Sequence, residues 1–356
     1  MLRTPIIRLT ADDKPLNDMV MARIISLTIT DNKTGDADEL SLTLDDHDGK
    51  LAMPKRGVTL QCWLGYIDAG IHDMGSYIVD SIEWSGTPDT LTIKAKSADM
   101  KRSLKAGRSQ SYHNKTLGDI AQQIAQRHEL QLSITADLAV INVGHIDQTD
   151  ESDLHLLTRL CWLFGAAVNI KHGKLLIFKP YANISVTGLP LTLTTITRQT
   201  GDQFRFSIED RQADVDNVQA SYHDKNTAKR VTVETDQGGK TAKKLKGNHK
   251  DKTTATAAAM AEKKRIEGEQ AKLSINCAYA YPAITTEAPI ILQGYKAELD
   301  ALRWTVDKAT HSYSKNSGLT TQLDLVATIG KQFGDKPADP KTNPTIAKTI
   351  TGTTKK

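Results

Sequence analysis

The sequence predicts an α+β protein that is mainly β, with two related small β-barrel domains and an α/β middle domain. Apolar residues alternate with period two up to about residue 98 and again after about residue 270, and helical spacing appears between these regions. Period-two alternation is typical of half-buried strands, whereas apolar residues three and four apart are typical of an amphipathic helix. Several short alternating strands in each outer region favour small barrels.

The length of 356 residues allows two or three domains at about 150 residues each. Changes in period and composition indicate four segments. They are a first β-barrel domain at 1–105, an α/β middle domain at 106–185, a second β-barrel domain at 186–330 with an inserted basic loop and helix at 236–270, and a flexible C-terminal tail at 331–356.

Alternating strands fill the first segment. The leucines at alternate positions of 40–44 point to one side, and the apolar residues of 91–95 repeat this arrangement. Two further strands are expected at 59–64 and 77–82, separated by turns that contain Gly, Asp and Pro.

Helical spacing begins in the middle segment. Thr116 and Asp119 have the spacing of a capping box, in which each side chain accepts a hydrogen bond from the other residue's backbone N–H. The apolar stripe that follows predicts a helix up to His128. A hairpin is expected further on, with strands at 167–170 and 174–178.

A second helix is expected at about residues 151–164. Asp150 is its predicted N-cap, Asp153 favours the positive end of the helix, and Gly165 is its predicted end. Leucines occupy more than one of its faces, so we expect other elements to bury it on several sides.

The second half of the chain mixes strand signals with a basic stretch. Residues 236–252 contain six lysines and a Gly-Gly pair, which predicts a loop. The Ala-rich stretch at 254–270 predicts a helix. Further strands are expected at 189–196, 215–222, 230–234, 273–279, 289–292, 303–310 and 320–326.

One short pattern occurs near both ends of the chain. Residues 77–82 read aromatic-x-Val-Asp-x-apolar and precede an alternating strand at 90–93. Residues 304–309 have the same pattern and precede a strand at 321–325. The repeated pattern suggests that the two predicted barrels are related.

The composition is that of a soluble globular protein, with 39% hydrophobic residues, 25% charged residues and a formal net charge of +4. No stretch has the roughly 18 consecutive apolar residues of a membrane helix. The N-terminus lacks the apolar core of a secretory signal, so synthesis and assembly in the cytoplasm are expected. Cys62, Cys161 and Cys277 are far apart and form no metal-binding pattern, so each is expected to be a small buried residue.

An acidic cluster before the second helix is the best candidate for a metal or acid–base site. It comprises Asp147, Asp150, Glu151, Asp153 and His155. Carboxylates at a helix start are already favoured by the unpaired N–H groups and the helix dipole. No second cluster supplies the partner that general acid–base chemistry needs. The structural interpretation is preferred, and we predict no catalytic, cofactor-binding or metal-binding residue.

Two other segments have weaker functional interpretations. Residues 45–49 have an acidic pattern similar to a calcium loop, but Leu44 and Lys55 occupy ligand positions, so an acidic turn is preferred. Residues 240–252 are basic but lack interleaved aromatic residues, so a solvated loop is preferred to a nucleic-acid site. The P-loop, GxGxxG, HExxH and GxSxG motifs are absent, which removes the common signatures of nucleotide-binding proteins, zinc proteases and hydrolases.

The middle segment carries an ordered set of residues, Gln148, Glu151, Ser152, Asp153, Leu154, Leu157, Arg159 and Gly165, followed by a Lys-His-Gly-Lys-Leu hairpin at 171–175. This set resembles the signature of the phage late-control D family, which also occurs in hub domains of type VI secretion spike proteins. Residues 37–66 are similar to the family's first barrel, and residues 304–323 are similar to its closing strands. The resemblance covers about residues 1–330.

This resemblance implies a non-enzymatic baseplate hub of a contractile phage tail or tailocin. It implies a homotrimeric ring that joins the sixfold tail tube to the threefold central spike, in the virion baseplate and without a cofactor. The implied partners are the tail spike protein, the tail tube protein and other baseplate proteins, and DNA or tape-measure protein could pass through the ring. A trimer can match sixfold symmetry if each subunit presents two similar surfaces.

Two other functions stay open from the sequence. Residues 116–121 are similar to the first half of a LysM repeat, which would make the chain a peptidoglycan- or carbohydrate-binding module. The third hypothesis is a tail-associated cell-wall hydrolase that uses Glu151 or Asp153.

Overall fold

The computed structural model describes residues 3–33, 37–97, 102–171, 173–180, 191–208, 217–224, 227–236, 241–268 and 271–328. Strands dominate these residues, which confirms the mainly β prediction. The predicted C-terminal tail at 331–356 lies outside them. None of the helices in the described part of the chain has the length and apolar character needed to cross a membrane.

The first part of the chain is antiparallel β structure. Its elements are β1 (Pro5–Ala11), β2 (Lys14–Pro15), α1 (Asp18–Ala22), β3 (Ile24–Asn32), β4 (Glu39–Asp45), β5 (Thr59–Tyr66), β6 (Gly70–Ser85) and β7 (Thr90–Ser97). The predicted stripe is buried, because Leu40, Leu42 and Leu44 pack in one core with Leu91 and Ile93. Alternation therefore identified the inward face of β4 and β7 correctly.

The middle part starts with a 3₁₀ helix, Arg102–Lys105, and mixes strands with helices. Its elements are β8 (Gly107–Thr116), α2 (Leu117–Arg127), β9 (Gln131–Ile134), α3 (Ala136–Ala139), β10 (Asn142–Ser152), α4 (Asp153–Leu163), β11 (Ala167–Lys171) and β12 (Lys174–Phe178). The predicted capping box is confirmed, since Thr116 Oγ1 accepts from Asp119 N at 3.1 Å and Asp119 Oδ2 accepts from Thr116 N at 3.0 Å. The predicted hairpin is the antiparallel pair of β11 and β12.

The last part contains β13 (Thr194–Thr197), β14 (Gly201–Ile208), β15 (Asn217–Asp224), β16 (Lys229–Glu234), β17 (Ala242–His249), α5 (Lys252–Gly268), β18 (Ala271–Cys277), β19 (Pro289–Gln293), α6 (Ala297–Asp300), β20 (Arg303–Ser314) and β21 (Gly318–Ala327). Strands β15, β16 and β17 form a separate sheet that packs on α5. The predicted Ala-rich helix is α5, and its first turn begins two residues before the predicted start.

Two local predictions are wrong. Residues 242–249, predicted to be part of the 236–252 loop, form strand β17 parallel to β15. The strand is stabilised because Leu245 packs against the α5 core and Lys243 pairs with Glu262 at 2.6 Å. Asp150 does not cap α4, because β10 continues through Ser152, whose Oγ accepts from His155 N at 3.2 Å.

One 13-stranded sheet joins the first and last parts of the chain. Its strand order is β14-β18-β21-β20-β3-β4-β7-β6-β5-β1-β2, with β19 on β20 and β13 on β19. The connection between the two halves is an antiparallel ladder in which residues 308–314 of β20 face residues 26–32 of β3. Each half has its own apolar core. The strand pairs of the described residues do not close either half, so the two barrels stay a prediction.

The pattern shared by residues 77–82 and 304–309 corresponds to two similar hairpins. In β6–β7 the register shifts between Val79 and Ser81, and in β20–β21 it shifts between Val306 and Lys308. Both shifts fall at the aspartate that follows a buried valine. A β-bulge at the same place in both hairpins shows that the repeated pattern has a structural basis.

The similarity continues outward from these hairpins. Strand β7 pairs with β4, which pairs with β3, just as β21 pairs with β18, which pairs with β14. A second register shift occurs in the outermost strand of each set, between Ile24 and Ser26 in β3 and between Gly201 and Gln203 in β14. The molecule therefore contains the same four-stranded frame twice. We call β6-β7-β4-β3 the first frame and β20-β21-β18-β14 the second frame.

Candidate assembly site

The motif residues of the middle segment hold the start of α4 in place. Gln148 donates to the carbonyl of Glu151 at 2.8 Å, and Ser152 caps the helix. The Glu151 carboxylate accepts from Arg159 Nη2 at 2.7 Å and Nε at 3.0 Å, and this interaction lowers the pKa of Glu151. Charge-assisted bidentate pairs of this kind fix the geometry of both side chains.

Asp153 is the buried centre of the motif, with 0% of its surface exposed. Its two oxygens contact Arg127 Nη1 at 2.9 and 2.8 Å, and Oδ2 also contacts His128 Nε2 at 2.8 Å. Gln148 Nε2 donates to Oδ1 at 2.9 Å. We call these four residues the Asp153 centre. It connects the end of α2, the end of β10 and the start of α4.

Burial raises the pKa of Asp153, but the donors Gln148, Arg127 and His128 outweigh it and hold the pKa below its usual value. Sequence reasoning identified Gln148 and Asp153 but missed Arg127 and His128. Their only local signal was their position at the end of the predicted α2, where a cation is favourable in any helix. Nothing in that position indicates a partner in α4.

A hydrogen-bonded chain runs outward from this centre. His128 Nδ1 lies 2.9 Å from Ser103 Oγ, while its Nε2 contacts Asp153. Serine hydrolases use the same three residue types, but there serine contacts Nε2 and aspartate contacts Nδ1. Here serine contacts Nδ1 and aspartate contacts Nε2, and the aspartate carboxylate also accepts a hydrogen bond from Arg127. This arrangement orients His128 and satisfies its ring nitrogens.

The other motif residues are packing and turn positions. Leu157 is fully buried and Leu154 packs at the edge of the middle core. Gly165 has φ +66, and a Cβ placed on it would lie 2.9 Å from the Cβ of Ala261 in α5. A side chain would therefore both strain the turn after α4 and separate α4 from α5.

The acidic residues predicted as an alternative metal site do not converge. Asp147 accepts from Ser111 at 2.6 Å, and Glu151 pairs with Arg159 and His155. Asp150 lies at a turn in the left-handed backbone region, with φ 47. Across the described residues, His, Cys, Asp and Glu side chains form no group of three or more that could hold a metal ion.

The acidic turn at 45–49 makes its contacts within the protein. Asp48 forms a bidentate pair with Arg23 at 2.6 and 2.7 Å, which holds the pKa of Asp48 well below its usual range. Asp46 accepts from Leu51 N at 2.9 Å and from Trp84 Nε1 at 3.1 Å. These contacts agree with the predicted turn between strands.

A second group of charges joins three parts of the fold. Lys171 of the β11–β12 hairpin pairs with Asp31 of β3 and lies 3.5 Å from Asp38. Asp31 also accepts from Thr286 N at 2.9 Å, just before β19. We call Lys171, Asp31, Asp38 and Thr286 the Asp31 joint. Burial raises the pKa of Asp38 to about 6, and Lys171 opposes this shift only in part.

Two strand edges expose large apolar side chains. Residues 80–85 of β6 pair only with β7 among the described strands, and Trp84 there is 52% exposed. Strand β14 pairs only with β18 in the same part of the chain, and it exposes Phe204 and Ile208. Exposed edges with apolar residues are typical of surfaces that pair with another chain.

Comparisons with known proteins agree with this architecture. The family model for the phage tail baseplate hub (GPD) matches residues 39–317. The probable baseplate hub protein of Escherichia phage 186 is 34% identical over 360 residues, which covers 90% of this chain and 92% of that protein.

Solved structures show the same fold at low identity. The 43 kDa tail protein of prophage MuSo2 from Shewanella oneidensis has a TM-score of 0.65 at 15% identity, covering 90% of this chain and 98% of that chain. An E. coli component of the type VI secretion system has a TM-score of 0.56 at 12% identity, covering 93% and 79%. From the family match, the relative and the fold together, this chain belongs to the phage tail baseplate hub (GPD) family.

Proposed function

We propose that three copies of this chain form a ring that joins the sixfold tail tube to the threefold central spike of a contractile phage tail or tailocin. The phage relatives are named baseplate hub proteins, which supports a structural role in the virion tail. The proposed partners are the tail tube protein, the spike protein and other baseplate proteins. Assembly takes place in the host cytoplasm, and the protein transmits force without making or breaking bonds.

The repeated frame is the observation that carries this proposal. Its two copies have the same strand order and the same two bulges. Two frames in each of three subunits make six similar surfaces, which match a sixfold tube while a threefold axis is kept for the spike. A single unrepeated domain would leave the symmetry mismatch unresolved.

The domain layout follows from the same argument. Residues 1–105 and 186–330 supply one barrel domain each, and their separate apolar cores support this division. Residues 106–185 form the α/β domain between them, with a third core. The motif residues Gln148 to Gly165 brace this domain, because the Asp153 centre fixes α2 against α4.

The mass of the assembly in solution tests the proposal. A subunit of 39.0 kDa should sediment as a species of about three times that mass. Sedimentation velocity and native mass spectrometry should be run on the full chain, alone and with purified tube and spike proteins. A chain that stays monomeric even with both partners would contradict the ring.

A further inference from the structure

Within one chain, β20 of the second frame pairs with β3 of the first frame. The equivalent pairing, of β6 with β14, does not occur among the described strands of the subunit. In the second frame, β20 continues past its bulge and pairs with β3, the outermost strand of the first frame. In the first frame, β6 also continues past its bulge, but residues 80–85 meet only β7 among the described strands. The strand equivalent to β3 is β14, and its outer edge pairs with none of the described strands.

Exposure differs sharply between equivalent positions of the two frames. His311 lies four residues after the bulged Asp307 and is 0% exposed, whereas its equivalent Trp84 is 52% exposed. Leu27 of β3 is 0% exposed, whereas its equivalent Phe204 of β14 is 43% exposed. The buried member of each pair lies in the β20–β3 ladder. The exposed members are thus apolar residues at positions where the fold elsewhere supplies a neighbouring frame.

These two edges are not paired with each other in the described residues of the subunit, where β14 pairs with β18 and β6 pairs with β5 and β7. Along the sheet, β18, β21, β20, β3, β4 and β7 lie between them. A second copy of the chain can present its β14 to the β6 edge in the way that β3 faces β20. Such a contact is head-to-tail, so it leaves one further edge for the next copy and closes when the rotation completes a ring.

We propose that, in the ring, β6 of one subunit pairs antiparallel with β14 of the next subunit. This inference rests on the proposed ring and names its contact surface. The ladder of β20 and β3, in which Ala309 faces Asp31 and His311 faces Ile29, fixes the register. If β6 and β14 pair with the same register, Ile82 lies opposite Ile208 of the next subunit and Trp84 lies opposite its Phe206. Apolar and aromatic cross-strand pairs of this kind stabilise antiparallel strands.

A cysteine pair tests the register. In the proposed contact between β6 and β14, Glu83 faces Ser207, and both side chains are exposed in the subunit. Facing Cα atoms lie about 4.5–5.5 Å apart, within the range of a disulfide. The Glu83→Cys/Ser207→Cys variant should therefore give covalent dimers and trimers on mild oxidation, reversed by reductant. The three native cysteines are buried, which keeps the background low.

The matched control moves one cysteine by two residues. Glu83→Cys with Arg205→Cys places the pair on a diagonal about 7–8 Å apart, so its crosslinked fraction should be at least about tenfold lower. A trimer that crosslinks neither pair, or both equally, overturns the strand pairing while leaving the ring intact. A chain that stays monomeric overturns the ring and the pairing together.

A substitution at the same edge gives an independent measurement. Ile208→Lys should weaken subunit association at least about tenfold, because it places a charge in the proposed apolar contact. Ile71→Lys is the control, since Ile71 is equally exposed but lies in the part of β6 that pairs with β5. Equal association of the two variants in sedimentation equilibrium would contradict the proposed surface.

Discussion

The Asp153 centre and the Asp31 joint are charge clusters built around a buried aspartate, yet they balance charge differently. In the centre one carboxylate receives hydrogen bonds from Arg127, His128 and Gln148, and its pKa is lowered despite complete burial. In the joint two carboxylates share the ammonium group of Lys171. The pKa of Asp38 rises to about 6 as a result of desolvation.

This difference follows from what each cluster connects. The Asp153 centre lies within one core and fixes three elements of a single domain. The Asp31 joint lies where the β11–β12 hairpin contacts β3 and the residues before β19, so its groups come from three distant segments. Several donors around one carboxylate keep the ion stable, whereas a shared donor leaves part of the desolvation cost uncompensated.

Removing the charge of Asp153 should have the largest effect. Asp153→Asn leaves the buried His128 and the partly buried Arg127 beside a neutral group, and we expect a loss of about 3–5 kcal/mol in the free energy of unfolding. Urea denaturation at pH 7 measures it. Asp137→Asn is the control, because its pair with Lys179 is half-exposed and should contribute less than about 1 kcal/mol. Equal losses would show that the Asp153 centre is no more important than a surface pair.

Asp38 should make stability depend on pH in the opposite sense to a paired carboxylate. Its pKa is about 6 in the folded state, against an ordinary value of 3.8 for an exposed aspartate, so between these pH values the folded state binds more protons than the unfolded state. Asp38 therefore has no unfavourable effect on the free energy of unfolding below about pH 4, and it lowers this free energy progressively as the pH rises to about 6. Asp38→Asn removes this penalty and should stabilise the protein at pH 7 by up to about 3 kcal/mol.

Unfolding curves of the wild type and Asp38→Asn at several pH values between 4 and 7 test this sign. The difference in free energy of unfolding should grow with pH and become constant above about pH 7. The lowered pKa of Asp153 acts in the same way in both proteins, so it cancels in the comparison. A difference that is the same at all pH values would contradict the raised pKa of Asp38.

Replacing the shared cation should have an intermediate effect. Lys171→Met leaves the buried Asp31 and the partly buried Asp38 without the ammonium group, and we expect a loss of about 2 kcal/mol, less than at Asp153 because Asp38 can take up a proton. Lys174→Met on the same hairpin is the control, because Lys174 is exposed. Thermal unfolding of both variants measures the difference. Equal midpoints would argue against any role of Lys171 in joining the three segments.

Local signals in the sequence predicted the elements better than the clusters. Alternation identified the buried face of β4, and the capping box located the start of α2. The cap of α4 was misplaced because Asp150 and Ser152 are both good cap residues, and only the length of β10 decides between them. The partners of Asp153 and Asp31 lie 26 and 140 residues away, and no local pattern specifies such contacts.

The cap of α2 tests whether the Asp153 centre alone fixes this helix, and it should show the smallest effect. Thr116→Ala removes the hydrogen bond that Thr116 Oγ1 accepts from Asp119 N at the start of α2, whereas Arg127 lies at the end of this helix. We expect a loss of about 1 kcal/mol in the free energy of unfolding. Thr135→Ala is the matched control, because Thr135 precedes α3 without a side-chain cap hydrogen bond. Thermal unfolding together with hydrogen exchange of the first turn of α2 separates fraying from global loss. If Thr116→Ala is as stable as Thr135→Ala, the contacts of Arg127 and His128 with Asp153 are sufficient to hold α2, and the cap adds nothing to them.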